Sequence, residues 1–182
     1  MKRFILTGTP GSGKTAILRQ LELDGFGVVE EAATDVIALW QARGVATPWT
    51  DPAFIDAIVD LQTQRELVAA KLPDAVQFHD RSVVCTAALA TYLGFPFSRC
   101  LESALEKVLR DRIFENRVFF ARNLGFVAPT EARRIGLEEA LRFEEIHEST
   151  YRRYGFDLEM LEPRSVAERA ACIRKIVEPG AA

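Results

Sequence analysis

Eight residues near the start of the chain constrain its fold more than any other feature. Residues 8–15, GTPGSGKT, match the pattern G-x-x-x-x-G-K-[ST] at every fixed position. The segment follows the apolar run 4–6 and opens a helical pattern over 16–21. A strand, a glycine-rich turn and a helix in this order gather backbone N–H groups at the positive end of a helix dipole, which suits a polyphosphate. We therefore predict a phosphate-binding loop and a bound nucleoside triphosphate.

The residue types in this loop have separate predicted roles. Gly11 and Gly13 allow positive φ and a close approach of the backbone to the ligand. Lys14 is predicted to reach the β- and γ-phosphates, and the Thr15 hydroxyl to bind Mg²⁺. The alternative is a glycine-rich turn that merely joins strand to helix. The predicted nucleotide-binding residues of this segment are Thr7, Gly8, Thr9, Pro10, Gly11, Ser12, Gly13, Lys14 and Thr15.

Strand-like and helix-like segments alternate along the whole chain. This alternation predicts an α/β fold, with a five-stranded parallel sheet between two helical layers (α/β/α). The predicted strands are 3–7, 27–30, 75–79, 117–121 and 157–161. The predicted helices are 14–22, 32–43, 52–72, 84–93, 99–114, 137–154 and 165–177. At 182 residues the chain is expected to form one domain, 1–182.

Composition points to none of the charged partner classes. A net charge of −3 and a pI near 5.5 give no sign of a nucleic-acid or anionic-membrane footprint, and only a local basic patch stays open. No apolar run approaches the length of a membrane span. Cys85, Cys100 and Cys172 lie far apart without metal-binding spacing, which predicts reduced, mostly buried thiols in a cytoplasmic protein. His147 is predicted to pack on the core side of the last long helix, and oligomeric state and a protein partner stay open.

A second group of candidate residues follows the third predicted strand. Asp80 stands at the strand end, where a carboxylate beside the phosphate loop can hold Mg²⁺ or accept a proton. The alternative is an ordinary helix N-cap, provided by Asp80 or Ser82. The residue after Asp80 is Arg81, a cation, whereas motor ATPases usually place a second carboxylate there to activate water. The Asp-Arg-Ser triplet instead resembles the acid-Arg-Ser/Gly signature of small-molecule kinases.

Two glutamates end the second predicted strand. Glu30 and Glu31 would face the space where an acceptor hydroxyl lies, so either is a candidate for binding the acceptor or removing its proton. The alternative is a pair of solvated glutamates in a helix's first turn. The helices that follow are predicted to line the acceptor pocket with Trp40, Arg43, Trp49, Phe54 and Arg65.

A long loop with clustered arginines follows the fourth predicted strand. Residues 122–136 are predicted to form a lid, from which Arg133 or Arg134, and also Arg122, would contact phosphate. Arginines delivered in this way neutralise charge on a transferring phosphoryl group. The alternative is a basic, solvated helix start.

Taken together, segments 7–15, 29–33, 78–82, 144–148 and 151–156 resemble a small P-loop family of AAA-type domains, described as ATPases and kinases. That family is related to nicotinamide-riboside-kinase-like and deoxynucleoside-kinase-like proteins. The resemblance implies a nucleoside-kinase-like P-loop fold with strand order 2-3-1-4-5, and ATP with Mg²⁺ as ligands. Relatives often carry Arg where Thr34 stands, so any acceptor contact of that Arg is missing from this chain.

The combined prediction is a kinase that transfers the γ-phosphoryl group of ATP·Mg²⁺ to a small acceptor. Lys14, Asp80, Glu30, Glu31, Arg133 and Arg134 are its predicted catalytic residues, with Thr15 and Asp80 at the metal. Two alternatives stay open: an ATPase that switches a protein partner, and a nucleotide-binding module with little turnover. The sequence names neither the acceptor nor the preferred base.

Overall fold

Five parallel strands form one sheet in the computed structural model, which describes residues 1–124 and 136–178. Their order across the sheet is β2-β3-β1-β4-β5, which confirms the predicted parallel sheet and the strand order implied by the resemblance. The five strands are β1 (Lys2–Thr7), β2 (Gly27–Val29), β3 (Val76–Asp80), β4 (Arg117–Ala121) and β5 (Asp157–Leu161).

Seven α-helices within the described residues correspond to the seven predicted ones. They are α1 (Lys14–Leu23), α2 (Ala33–Ala42), α3 (Ala53–Ala69), α4 (Val83–Leu93), α5 (Arg99–Arg110), α6 (Leu137–Arg153) and α7 (Val166–Val177). A short 3-10 helix at Pro48–Thr50 was not predicted. Helix α5 ends four residues earlier than predicted because Arg112 adopts a left-handed backbone with φ 47°, which an α-helix does not continue through.

The alternation of side chains along the central strands places one apolar cluster on each face of the sheet. Phe4, Phe78 and Phe119 pack together on the face covered by α1 and α7, with ring centroids 5.7–6.1 Å apart. Ile5 and Val118 point to the opposite face, into the cluster formed by α3, α4, α5 and α6. Both faces of the inner strands are therefore covered, as expected for a parallel sheet.

The carboxyl ends of the strands meet along one edge of the sheet. Leu6 pairs with Asp80 across β1 and β3, and Thr7 pairs with Phe120 across β1 and β4. The segments that follow these strands are the phosphate loop (residues 8–15), Arg81 and Arg122. Ligands of open α/β sheets bind at this edge, and the predicted functional segments converge there.

Candidate active site

The phosphate loop is folded around its own lysine. Gly8, Gly11 and Gly13 have φ of 136°, 84° and 79°, values that favour glycine, and helix α1 begins directly after Gly13. A Cβ on Gly8 would lie 2.3 Å from the Ala121 carbonyl oxygen, so strand β4 leaves no space for a side chain. Lys14 Nζ donates to the Thr9 carbonyl oxygen at 3.0 Å.

Two residues without an assigned role in the sequence analysis hold this loop from outside. Arg169 of α7 is buried and donates through Nη1 to the Ser12 carbonyl oxygen at 2.7 Å. Glu144 of α6 is also buried, and its Oε2 accepts from the Thr9 hydroxyl at 3.4 Å and from the Asn123 backbone N–H at 2.9 Å. The loop is thus fastened to α7 and α6, which lie far along the chain.

The pKa of the Lys14 ammonium group depends on burial and on the other charged groups at this edge of the sheet. Burial and then the charge of Arg81 lower the pKa of Lys14 from 10.5 to about 8, while the charges of Asp80 and Glu31 act to raise it. Burial is the main cause of the shift, and the smaller effects of the three charges indicate that they lie near Lys14. Lys14, Asp80, Glu31 and Arg81, which come from three separate segments of the sequence, therefore lie at one end of the site.

The two adjacent glutamates lie in different environments. Glu31 Oε1 forms an ion pair with Arg81 Nε at 2.6 Å, and Glu31 Oε2 accepts from the Thr34 hydroxyl at 2.9 Å. Glu30 instead pairs with Arg19 on the surface, where both side chains are more than half exposed. Of the two candidates, only Glu31 thus faces the interior of the site.

Arg81 connects the sheet edge to helices α4 and α6. Its backbone has φ 71°, unusual for a residue other than glycine, which turns the chain sharply after β3. Its Nη1 donates to Cys85 Sγ at 3.0 Å and lies 3.3 Å from His147 Nε2. Ser82 then caps α4 by accepting from the Val84 N–H at 3.3 Å, so the helix-cap role belongs to Ser82 and leaves Asp80 to the sheet edge.

A cavity of about 730 Å³ opens beside these groups. We call it the Glu31 cavity; Glu31 and Arg81 form part of its lining, and Pro10 of the phosphate loop borders it. Gln62 and Thr86 add a polar pair, in which the Thr86 hydroxyl donates to Gln62 Oε1 at 2.9 Å. Its apolar wall includes Ile37, Trp49, Phe54, Leu89, Tyr92 and Phe143.

The predicted pocket residues are only partly found at this cavity. Trp49 and Phe54 line it as predicted. Trp40 instead packs edge-on against Phe54, with ring centroids 6.1 Å apart, and Arg43 is exposed. Arg65 does not line the cavity. It donates to the backbone carbonyls of Glu30 and Glu31 and forms an ion pair with Asp35. The prediction was wrong for these three, because neither Trp40 and Arg43, at the end of α2, nor Arg65 of α3 lines the cavity.

The predicted lid lies mostly outside the described residues. Arg133 and Arg134 fall in the segment 125–135 and their predicted phosphate contacts stay predictions. Arg122 lies at the end of β4, where its Nη1 pairs with Glu144 at 3.1 Å and Glu148 at 3.2 Å. A phosphate contact by Arg122 would therefore require an exchange of these two carboxylate partners.

Cys85 and His147 form a contact that the sequence did not suggest. Cys85 Sγ lies 2.8 Å from His147 Nε2, and both side chains are buried. His147 Nδ1 donates to the Phe143 carbonyl oxygen at 2.9 Å, which leaves Nε2 as the acceptor nitrogen. The two residues are 62 positions apart, so no local pattern could have paired them.

The residues present at the loop fit a magnesium nucleotide. Thr15 is exposed at the first turn of α1, and Asp80 is a buried carboxylate at the end of β3. Hydroxyl and carboxylate oxygens are the ligands that Mg²⁺ takes, usually with only one or two from protein and the rest from phosphates and water. Among the described residues, no group of three or more His, Cys, Asp or Glu side chains is placed to hold a metal ion.

The chain belongs to the family described as an AAA domain, which matches residues 3–169. No curated protein matches it. Among the described residues, none of the helices combines the length and apolar character needed to cross a membrane.

Several solved structures share the fold. Deoxyadenosine kinase from M. mycoides with dCMP and dCDP is 13% identical, with a TM-score of 0.69 and coverage of 97% of this chain and 99% of that chain. The same enzyme with dCTP is 14% identical (TM-score 0.65; 98% and 100% covered), and with dATP 13% identical (TM-score 0.59; 96% and 98% covered). These likenesses establish a P-loop nucleoside-kinase fold, as the sequence resemblance implied.

Proposed function

We propose that this protein is a kinase that transfers the γ-phosphoryl group of ATP·Mg²⁺ to a small molecule bound in the Glu31 cavity. This proposal depends on the observation that the phosphate loop and the cavity are adjacent. Pro10 of the loop lines the cavity, and Glu31 and Arg81 form part of the polar side of the same cavity. A triphosphate tail on the loop would end where an acceptor could reach it. Such positioning is the main contribution of enzymes to phosphoryl transfer.

The donor side of the site follows from the loop geometry. The first amides of α1 have no partner within the helix and face the loop, and Lys14 would exchange its bond to the Thr9 carbonyl for phosphate oxygens. Thr15 and Asp80 would hold Mg²⁺, which neutralises charge on the phosphates. Arg133 and Arg134 remain proposed as additional cations of the lid.

The acceptor side provides a base and a cation in contact. Glu31 would accept the proton of the acceptor hydroxyl as that oxygen bonds to the γ-phosphorus and the bond to ADP breaks. Arg81, 2.6 Å from Glu31, would stabilise the charge on the moving phosphoryl group. Thr34 and Arg81 together hold the carboxylate of Glu31 in one orientation, which favours a fixed proton acceptor.

The cavity walls favour an acceptor with a flat apolar part and a few polar edges. Trp49, Phe54 and Phe143 provide aromatic surface, and Gln62 with Thr86 offers hydrogen-bonding groups among them. A nucleoside combines these features, and the solved relatives of this fold hold deoxynucleotides. We therefore place nucleosides and similar heterocyclic metabolites first among candidate acceptors.

The test is ADP release from ATP·Mg²⁺ measured with and without each member of a nucleoside and deoxynucleoside panel. Stimulation by an acceptor, with a phosphorylated product found by mass spectrometry, is the expected result. Glu31→Gln should lower turnover by about 10²-fold, as expected for loss of a general base. Glu30→Gln is the matched control and should leave turnover within about threefold, because Glu30 faces Arg19 on the surface.

Other outcomes favour the two alternative functions. ADP release that no acceptor changes, in a protein that binds ATP, would contradict the kinase and support a hydrolase or a binding module. Equal effects of Glu30→Gln and Glu31→Gln would contradict the assignment of Glu31.

A further inference from the structure

The proposed phosphoryl transfer leaves one buried nucleophile of the Glu31 cavity unused. Cys85 stands in the first turn of α4, lines the cavity, and is 4% exposed. Its sulfur contacts both the imidazole of His147 and the guanidinium of Arg81, which also lie 3.3 Å from each other. A thiol with both a base and a cation within hydrogen-bonding distance has the arrangement of an activated nucleophile.

The contacts define the direction of each hydrogen bond. His147 Nδ1 donates to the Phe143 carbonyl oxygen at 2.9 Å, so Nε2 carries the lone pair, which faces both the Cys85 thiol and Arg81 Nη1 at 3.3 Å. The Cys85 thiol, 2.8 Å away, can donate its proton to that nitrogen. Arg81 Nη1 in turn donates to Cys85 Sγ at 3.0 Å. The Cys85 thiol, the His147 imidazole and the Phe143 carbonyl that orients the imidazole are thus connected by successive hydrogen bonds. Cysteine enzymes of unrelated folds use the same order of nucleophile, base and orienting group.

Both members of the Cys85–His147 pair are neutral at rest. Burial, followed by the charge of Arg81, lowers the pKa of His147 well below its usual value, which keeps the imidazole neutral. Burial raises the pKa of the Cys85 thiol, while the charge of Arg81 opposes this rise. The sulfur is therefore protonated at rest and becomes nucleophilic only as its proton moves to His147.

The other two cysteines have no comparable surroundings. Cys100 Sγ faces a carboxylate, Asp60, at 3.8 Å, and the carboxylates of Asp56 and Asp60 add to burial in raising its pKa. Cys172 is exposed on helix α7. The two thiols therefore serve as internal references for the reactivity of Cys85. Cys100 represents a thiol near carboxylates, and Cys172 represents a thiol exposed to solvent.

We propose that Cys85 is a covalent modification site for small, neutral α,β-unsaturated carbonyl compounds, with His147 as its general base. Cys85 Sγ would bond to the β-carbon of the compound as its thiol proton passes to His147 Nε2. The carbon–carbon π bond opens to an enolate, which Arg81 is placed to stabilise, and the proton returns from His147 to the α-carbon. No further reactant is needed, and the adduct would occupy the Glu31 cavity.

The shape of the cavity supports this choice of compound. Its volume of about 730 Å³ admits a small molecule beside Cys85, and its aromatic wall favours a neutral, apolar body over a charged one. Arg81 is a hydrogen-bond donor suited to a carbonyl oxygen that gains negative charge.

The experiment uses three single-cysteine variants and N-ethylmaleimide as the probe. Each variant keeps one of Cys85, Cys100 and Cys172 and has serine at the other two positions, and labelling is followed as the mass of the folded chain. We expect the Cys85 thiol to react faster than the exposed Cys172 thiol despite its burial. His147→Gln in the Cys85-only chain should slow labelling by about 10²-fold, the contribution of a general base.

Two results of the labelling experiment would overturn the proposal. A Cys85-only chain that stays unlabelled while Cys172 is fully modified would overturn the proposal, as would a change of less than about threefold in the His147→Gln variant. If that variant does not fold, the comparison of Cys85 with Cys172 decides alone. Because labelling is read as mass, it is independent of whether the protein transfers phosphoryl groups.

Discussion

Replacing Lys14 with methionine should stabilise the ligand-free protein while it removes the phosphate-binding cation. Burial is the main cause of the fall in the pKa of Lys14 from 10.5 to about 8. At about 1.4 kcal/mol per pKa unit, the folded state disfavours the charged ammonium by about 3 kcal/mol. Methionine avoids this cost but leaves the Thr9 carbonyl without its 3.0 Å donor, a loss of about 1–2 kcal/mol. The net expected gain is about 1–2 kcal/mol.

The pH dependence of this gain identifies its cause. The pKa of Lys14 is lower in the folded chain, so the unfolded chain binds more protons between pH 8 and 10.5. The free energy of unfolding of the unsubstituted protein therefore rises with pH across this window, and the full cost is present below it. The advantage of the methionine variant should be largest near pH 7 and shrink towards pH 10.

Urea denaturation followed by circular dichroism at both pH values measures these differences. Lys71→Met is the matched control, because Lys71 is exposed and its replacement should change the free energy of unfolding by less than about 0.5 kcal/mol. A Lys14→Met protein that is less stable than the parent, or a gap that is equal at both pH values, would refute the reasoning.

Three further substitutions test individual parts of the fold. Gly8→Ala should lower the free energy of unfolding by about 3 kcal/mol, because the new Cβ would meet the Ala121 carbonyl at a positive φ; an unchanged melting temperature would contradict this. Ser165→Ala should cost about 1 kcal/mol in urea titrations through loss of the α7 capping box with Glu168, and no loss would argue against the cap. Burial lowers the pKa of His79 to about 3, so acidification from pH 6.5 should destabilise the parent more than His79→Leu; parallel stability curves would be inconsistent with a buried neutral histidine.

Much of the fold could be predicted because its signals are local. The phosphate loop fixed the first strand and helix, and the alternation of apolar segments gave the order of the remaining elements. Errors arose at helix ends, where one backbone conformation decides the boundary. Arg112, with φ 47°, ends the α5 region before the predicted residue 114, and its side chain gives no warning of this.

The site was predictable where its residues belong to one motif and not where they meet across the fold. Asp80 and Glu31 were named because each lies at or just after the carboxyl end of a predicted strand. Arg169 and Glu144 bind the loop across 157 and 135 positions, and no spacing rule reaches so far. The choice between adjacent glutamates also depends on the fold, because β2 ends at Val29 and the backbone beyond it decides which carboxylate turns inward.

The measurement that tests the central claim most directly is isothermal titration calorimetry of the folded protein with ATP in the presence of Mg²⁺. The account predicts saturable binding to the phosphate loop in the unsubstituted protein, and none in Lys14→Met, which the stability measurements should show to be well folded. Absence of binding by any nucleoside triphosphate, or equal affinity in the two proteins, would contradict the assignment of residues 8–15 as a nucleotide-binding loop.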